Sequence, residues 1–196
     1  MNKLFWGFLF LFLNIEINLG SVQIGLLPAF VGYALFYSGL SELAGESPRF
    51  EKRKPFCIAM AVYTGLLWVL ALFGLSVGIP PALEVLLGAV STIFSYYISF
   101  GIVWGVGDIE TSNRYTTMNA ERLKTTWLVM VVFNALSVLF ASLMLVVLAY
   151  ACLIADVVAL VCFLCFFHSS QKAYFYEKER QAHEEWMRKE GNEPHV

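Results

Sequence analysis

Long apolar runs alternate along this chain with short polar connections. A helix that spans a bilayer needs about 20 mostly apolar residues. Leu27 to Leu43 forms one such run, opened by Pro28 at a first-turn position where proline costs no hydrogen bond. A charged loop, Glu46 to Lys54, separates it from the run Phe56 to Val77. That run ends at Gly78-Ile79-Pro80-Pro81, a strong helix break. Ala82 to Gly107 follows, closed by Asp108 and a polar stretch through Lys124. From Trp127 to Phe167 the chain is apolar for 41 residues, interrupted mainly by Asn134, Ser137, Ser142 and Asp156. This is too long for one helix at ordinary tilt and suits two helices with a tight turn. The turn is expected near Val147 to Ala155, although no glycine or proline marks it.

The N-terminal pattern differs. Leu4 to Leu13 is apolar, but ten helical residues rise only about 15 Å. Asn14, Glu16 and Asn18 then alternate with Ile15, Ile17 and Leu19, which is the period of a strand. Gly20-Ser21 before a second alternating run suits a two-residue type II′ turn. The register pairs Leu19 with Val22, Ile17 with Ile24 and Ile15 with Leu26 on one face, and Asn18 with Gln23 on the other. A short hairpin capping a short first helix is therefore predicted. Any part of it below the headgroups must be buried in protein, because lipid satisfies no open strand edge. Lys3 and the apolar run after it are similar to a signal peptide. No small-residue cleavage site follows, so the segment is expected to be retained.

Composition agrees with a chain solvated mainly by lipid. Hydrophobic residues make up 59% and charged residues 14%, with mean hydropathy +0.68. A water-soluble domain of 196 residues could not hide that much apolar surface. The net charge of −2 offers no basic surplus for nucleic acid. Cys57, Cys152, Cys162 and Cys165 all lie in apolar runs and read as small buried hydrophobes without a disulfide framework.

The placement of charge is more informative than its sum. Lys3 precedes the first helix, and Arg49, Lys52, Arg53 and Lys54 lie between the second and third. Arg114, Arg122 and Lys124 lie between the fourth and fifth, and Lys172, Lys178, Arg180, Arg188 and Lys189 follow the sixth. The loops on the other side carry none of the 13 basic residues. The positive-inside rule then gives six crossings with both termini cytoplasmic. Trp104 and Trp127 at inner ends and Tyr150 at an outer end fit interfacial belts. The expected fold is an all-α, polytopic membrane bundle of six transmembrane segments over residues 1–168. Residues 169–196 form a charged cytoplasmic tail that extends the last helix, with Glu184–Arg188 and Glu185–Lys189 as favourable i, i+4 pairs.

The segment Leu27-Pro28-x-Phe30-x-Gly32-Tyr33-x-Leu35, followed by Gly39-Leu40 and Leu43, resembles a group of small uncharacterised multi-pass proteins of Gram-positive bacteria. Members share a short apolar N-terminus, a polar alternating stretch and then this segment. Gly105 to Glu110 is also similar, and together the resemblance covers roughly a third of the chain. It implies a bacterial plasma membrane and a common architecture, and carries no activity.

Ionisable groups inside spans are the first candidates for chemistry, because an Asp at a helix centre costs about 2.5–3.5 kcal/mol. Asp156 lies within the outer leaflet if the fifth helix ends near Val147. It becomes the N-cap of the sixth helix if the fifth ends near Leu153. Glu84 sits three residues after Pro81, in a first turn where the macrodipole favours a carboxylate. Glu16, Glu84 and Asp156 all fall near outer ends, with no Lys or Arg on that side. They fit either three separate exposed positions or one shared site for a cation or cationic solute.

Ser91, Ser95 and Ser99 recur every four residues on the fourth helix, and Asn134, Ser137 and Ala141 share a face of the fifth. Such stripes, with Gly101-x-x-x-Gly105, let helices approach closely; alternatively they line a polar pathway with Tyr96 and Tyr97. Cys162, Cys165 and His168 drift across a wide arc and lack a fourth ligand, so no metal site is expected. Gly74-Leu-Ser76-Val-Gly78 matches G-x-S-x-G, but outside the strand-turn-helix setting that motif needs. Cofactor motifs are absent, and no enzyme is expected.

Two functions fit these residues. The chain is an interaction or accessory protein whose tail and inner loops meet a protein partner or a second copy. Or it is a small transporter or channel component using the outer carboxylates and the Ser/Asn stripes. Interrupted helices and internal repeats would mark the second; no repeat is evident and only the short first helix points that way, so the accessory protein is the function expected and the transporter the alternative.

Overall fold

A computed structural model describes residues 1–12, 16–19, 22–25, 28–73, 80–112 and 118–190; for residues 16–19, 22–25, 81, 84 and 190 it describes the backbone alone. The elements run α1 (Asn2–Phe12), β1 (Glu16–Leu19), β2 (Val22–Gly25), α2 (Ala29–Glu42), α3 (Pro48–Leu72), α4 (Pro81–Ser112), α5 (Ala120–Ser142) and α6 (Val146–Glu190). β1 and β2 pair antiparallel, Glu16 opposite Gly25 and Leu19 opposite Val22, and β2 lies beside α3. The predicted Gly20-Ser21 turn and the Ile15–Leu26 pair lie outside the described residues.

Four helices, α3 to α6, are long and apolar enough to cross a membrane. α1 and α2 have 11 and 14 residues and rise about 16 and 21 Å, short of a hydrocarbon core of about 30 Å. They pack antiparallel through glycine notches. A Cβ at Gly7 would strike the Phe36 ring, and one at Gly39 would meet the Leu4 side chain at 2.7 Å. Phe8 stands at the centre of this layer, with the rings of Phe36, Phe163 and Phe167 within 5.1 Å. Phe163 and Phe167 belong to α6, so α1 leans on α6, while α2 packs mainly between α1 and α3.

α3 begins with a Ser47 N-cap whose Oγ accepts from the Arg49 N–H at 3.2 Å, and with Pro48 at the first helical position. It runs antiparallel to α4, with Phe50 seated over Gly105 and Arg53 over Gly101. The Gly101-x-x-x-Gly105 spacing thus serves to admit two α3 side chains against the α4 backbone.

The turn between α5 and α6 occupies residues 143–145, earlier than the Val147 to Ala155 window expected from sequence. It is a Schellman motif built without glycine. Met144 takes φ 59°, the Leu145 N–H donates to the Phe140 carbonyl at 2.9 Å, and the Met144 N–H donates to that of Ala141 at 3.1 Å. These bonds satisfy the helix end internally, so an apolar run turns without a glycine or proline to announce it.

The basic residues gather at one end of the bundle. Lys3 bonds Ser38 and Glu42, Arg49 bonds Asp108, Tyr174 bonds Glu46, and the Ser170 hydroxyl reaches the Met118 carbonyl. From that end outward, a belt of exposed apolar side chains covers the helices, including Ile58, Val62 and Leu66 on α3, Ile93 on α4, Val132 on α5 and Val161 on α6. Exposed apolar surface on this scale marks a membrane-embedded protein.

Several expectations change. Cys162 and Cys165 are exposed on α6, and only Cys57 and Cys152 are buried. Trp127 is 6% exposed and donates to Ser99 at 3.0 Å, so it is a core residue rather than an interfacial one. On the tail, Arg180 pairs with Glu177 and Glu184, whereas the expected Glu184–Arg188 and Glu185–Lys189 pairs are not formed.

Candidate functional site

Moving the turn to 143–145 changes the position of Asp156. Neither a cap nor a residue at a helix end, it lies ten residues inside α6, about 15 Å along the axis. Val146 to Phe167 holds 22 apolar-run residues, of which Asp156 is the eleventh. One carboxylate oxygen, Oδ2, accepts from Asn134 Nδ2 at 3.3 Å; the other, Oδ1, is buried with no partner among the described residues.

Asp156 and Asn134 form part of the wall of a cavity of about 390 Å³. α4 contributes Ser91, Thr92, Ser95 and Tyr96. α1 contributes Phe10, Leu11 and Phe12, its last turn, and α2 its first residue, Ala29. Met130 and Leu160 complete the lining. The periodicity explains the convergence: Ser91 and Ser95 are one turn apart on α4, and α5 and α6 run antiparallel with Asn134 level with Asp156. Tyr33 of α2, fully buried, shares a hydrogen bond of 2.6 Å with Ser95 and holds that serine in place.

The electrostatics are one-sided. Six polar side chains line the cavity, one of them an aspartate, and no Lys, Arg or His is among them. Asp156 is half-buried with its Oδ1 inaccessible, and a carboxylate so placed without a cationic partner is unfavourable unless it is protonated or meets a cation supplied from outside. Hydroxyl and amide oxygens around it are ligands for hard cations and acceptors for ammonium groups.

The other candidates go elsewhere. Ser99 is fully buried and accepts from Trp127, so it belongs to the packing between α4 and α5. Ser137 donates to the Ala149 carbonyl at 3.2 Å and ties α5 to α6. Tyr97 does not line the cavity; its ring lies under Arg53, with the guanidinium carbon 3.8 Å from the ring centroid. Glu84 is the fourth residue of α4 and Glu16 the first of β1. Their side chains are outside the described residues, as is the Gly74 to Gly78 motif, so a three-carboxylate site is not among the arrangements described. No group of three His, Cys, Asp or Glu gathers to hold a metal among the described residues. Sequence reading missed Thr92, Tyr33 and the α1/α2 wall, since nothing in the letters brings the end of α1 to α4.

Comparison with known proteins finds no matching family, no curated protein and no solved structure similar to this chain.

Proposed function

We propose that this chain is a multi-pass protein of a bacterial plasma membrane that holds a small cation or cationic solute at Asp156, as a transporter or channel component does. One observation carries the reading: an aspartate midway along the apolar run of α6, with one oxygen unpartnered among the described residues, faces a polar cavity with no base among its described lining residues. With the basic end inside, Asp156 lies near the bilayer midplane, where an ionisable residue is costly and marks function by default. The ends of α1 and α2 at the cavity add support, because transporter sites are commonly built where short or broken helices stop at the midplane.

The six-crossing topology is kept in the following form. α1 and α2 are each continued by a strand of four residues, worth about 13 Å. Helix plus strand then reaches about 30 Å in each direction, and β2 lies beside α3. Both termini stay on the basic, cytoplasmic side.

The test is cation-dependent thermal stability of the purified protein, wild type against Asp156→Asn. A ligand at a hundredfold its Kd stabilises by about 2.7 kcal/mol. Wild type is expected to gain stability with at least one member of a panel of monovalent cations, divalent cations and polyamines, and the variant to lose that gain. No shift with any member would overturn the reading.

A second reading rests on the tail. Residues 179–189 are exposed along their whole length, a surface suited to an accessory protein that meets a cytoplasmic partner or a second copy. Truncation after Arg180 leaves the buried Tyr174 and Glu177 in place. Loss of a co-purifying protein on that truncation, with no cation response in wild type, would favour this reading over the first.

A further inference from the structure

We propose that the groove between the start of α3 and the end of α4 binds the phosphate of an anionic phospholipid. The groove has a volume of about 680 Å³ and is lined by Glu46, Arg49, Lys52, Arg53, Asp108 and Ser112, with Pro48 at its edge. Its acids are already engaged. Asp108 Oδ2 accepts from the Ser47 hydroxyl at 2.7 Å and from Arg49 Nε at 2.9 Å, and Glu46 accepts from the Tyr174 hydroxyl at 3.0 Å. The lining holds three bases and two acids, a surplus of one positive charge, and with Arg49 paired to Asp108 the positive groups open to a ligand are Lys52 and Arg53. Lys52 has no partner among the described residues. Arg53 donates to the Tyr97 hydroxyl at 2.6 Å, while its Nε is buried and has no acceptor.

Arg53 is held in place rather than left to wander. Its stem lies against Gly101, where any Cβ would collide with it, and its guanidinium stacks on Tyr97. With Nε packed against Gly101 and one Nη1 N–H on Tyr97, the remaining Nη N–H groups, beside a lysine ammonium, are the donor set for a phosphate, which takes N–H bonds from Arg and point charge from Lys. The depth fits a headgroup. The basic residues Arg49, Lys52, Arg53 and Lys54 end where the apolar run of α3 begins, and exposed Ile58, Val62 and Leu66 continue along α3 as surface for acyl chains. Basic pockets between helices on the cytoplasmic side are favourable sites for anionic headgroups. The inference rests on the membrane placement proposed above and is independent of the Asp156 cavity.

The experiment reconstitutes the full chain into nanodiscs of phosphatidylcholine with and without phosphatidylglycerol and reads the lipids retained by native mass spectrometry. Wild type is expected to retain phosphatidylglycerol over phosphatidylcholine, and each of Lys52→Gln and Arg53→Gln to lower that preference about fivefold. Arg188→Gln with Lys189→Gln, which removes two charges from the tail, is expected to leave it unchanged. Equal retention of the two lipids by wild type overturns the proposal whatever the variants do, as does an equal loss in the tail variant. In phosphatidylcholine discs, inorganic phosphate at millimolar concentration should give no thermal stabilisation; a shift equal to that from phosphatidylglycerol would make the ligand a soluble anion and overturn the lipid assignment. Failure to enter the bilayer at all would overturn the membrane placement as well, whereas insertion without lipid preference would overturn this inference alone.

Discussion

Single residues in this protein act mostly by what they leave room for. Gly105 admits the Phe50 ring, which is fully buried, against the α4 backbone. A methyl there would overlap the ring, and overpacking of this kind costs about 1–3 kcal/mol. Gly105→Ala is expected to lower stability by that amount in detergent unfolding, whereas Gly88→Ala, with open space around its position, should not destabilise. The same scale shows what was readable from letters. Ser91, Ser95 and Asn134 stood out as weakly polar positions in apolar runs, and all three line the cavity. Asp156 stood out too, but its role depended on where α5 ended. Ser99 and Ser137 looked identical to the cavity serines in sequence and turned out to bond Trp127 and the Ala149 carbonyl. One residue's spacing cannot tell a wall from a seam, because that depends on which neighbour the helix face meets.

Elements explain the largest misplacement. The α5–α6 turn lacks glycine and proline because its Schellman bonds close the helix end within the backbone, and Met144 carries the left-handed conformation. A non-glycine residue there costs about 1–2 kcal/mol. Met144 is 87% exposed, so its side chain contributes little packing in return. Met144→Gly is therefore expected to stabilise the protein by about 1 kcal/mol, and Met144→Val to destabilise it; chemical denaturation in a single detergent compares the three. The long helices α3 and α4 were legible because apolar length and the Gly78 to Pro81 break are local signals. The pairing of α1 with α2 was not, since it depends on Gly7, Gly32 and Gly39 meeting across a gap in sequence.

At the scale of the whole molecule, charge and hydrophobicity divide the bundle the same way. Bases collect at one end, an apolar belt follows, and one aspartate lies midway within it. The proposed depth of the cavity and the proposed lipid groove both rest on that division. The most direct measurement is labelling of intact cells with a membrane-impermeant maleimide, using single cysteines introduced after the four native ones are replaced by serine or alanine. Cysteines at Met144 and Ser21 should react from outside, and one at Glu51 should react only after the membrane is permeabilised. Labelling at Glu51 in intact cells would invert the bundle. Labelling at neither Met144 nor Ser21 would remove those segments from the outer face and contradict the placement of Asp156 at the midplane.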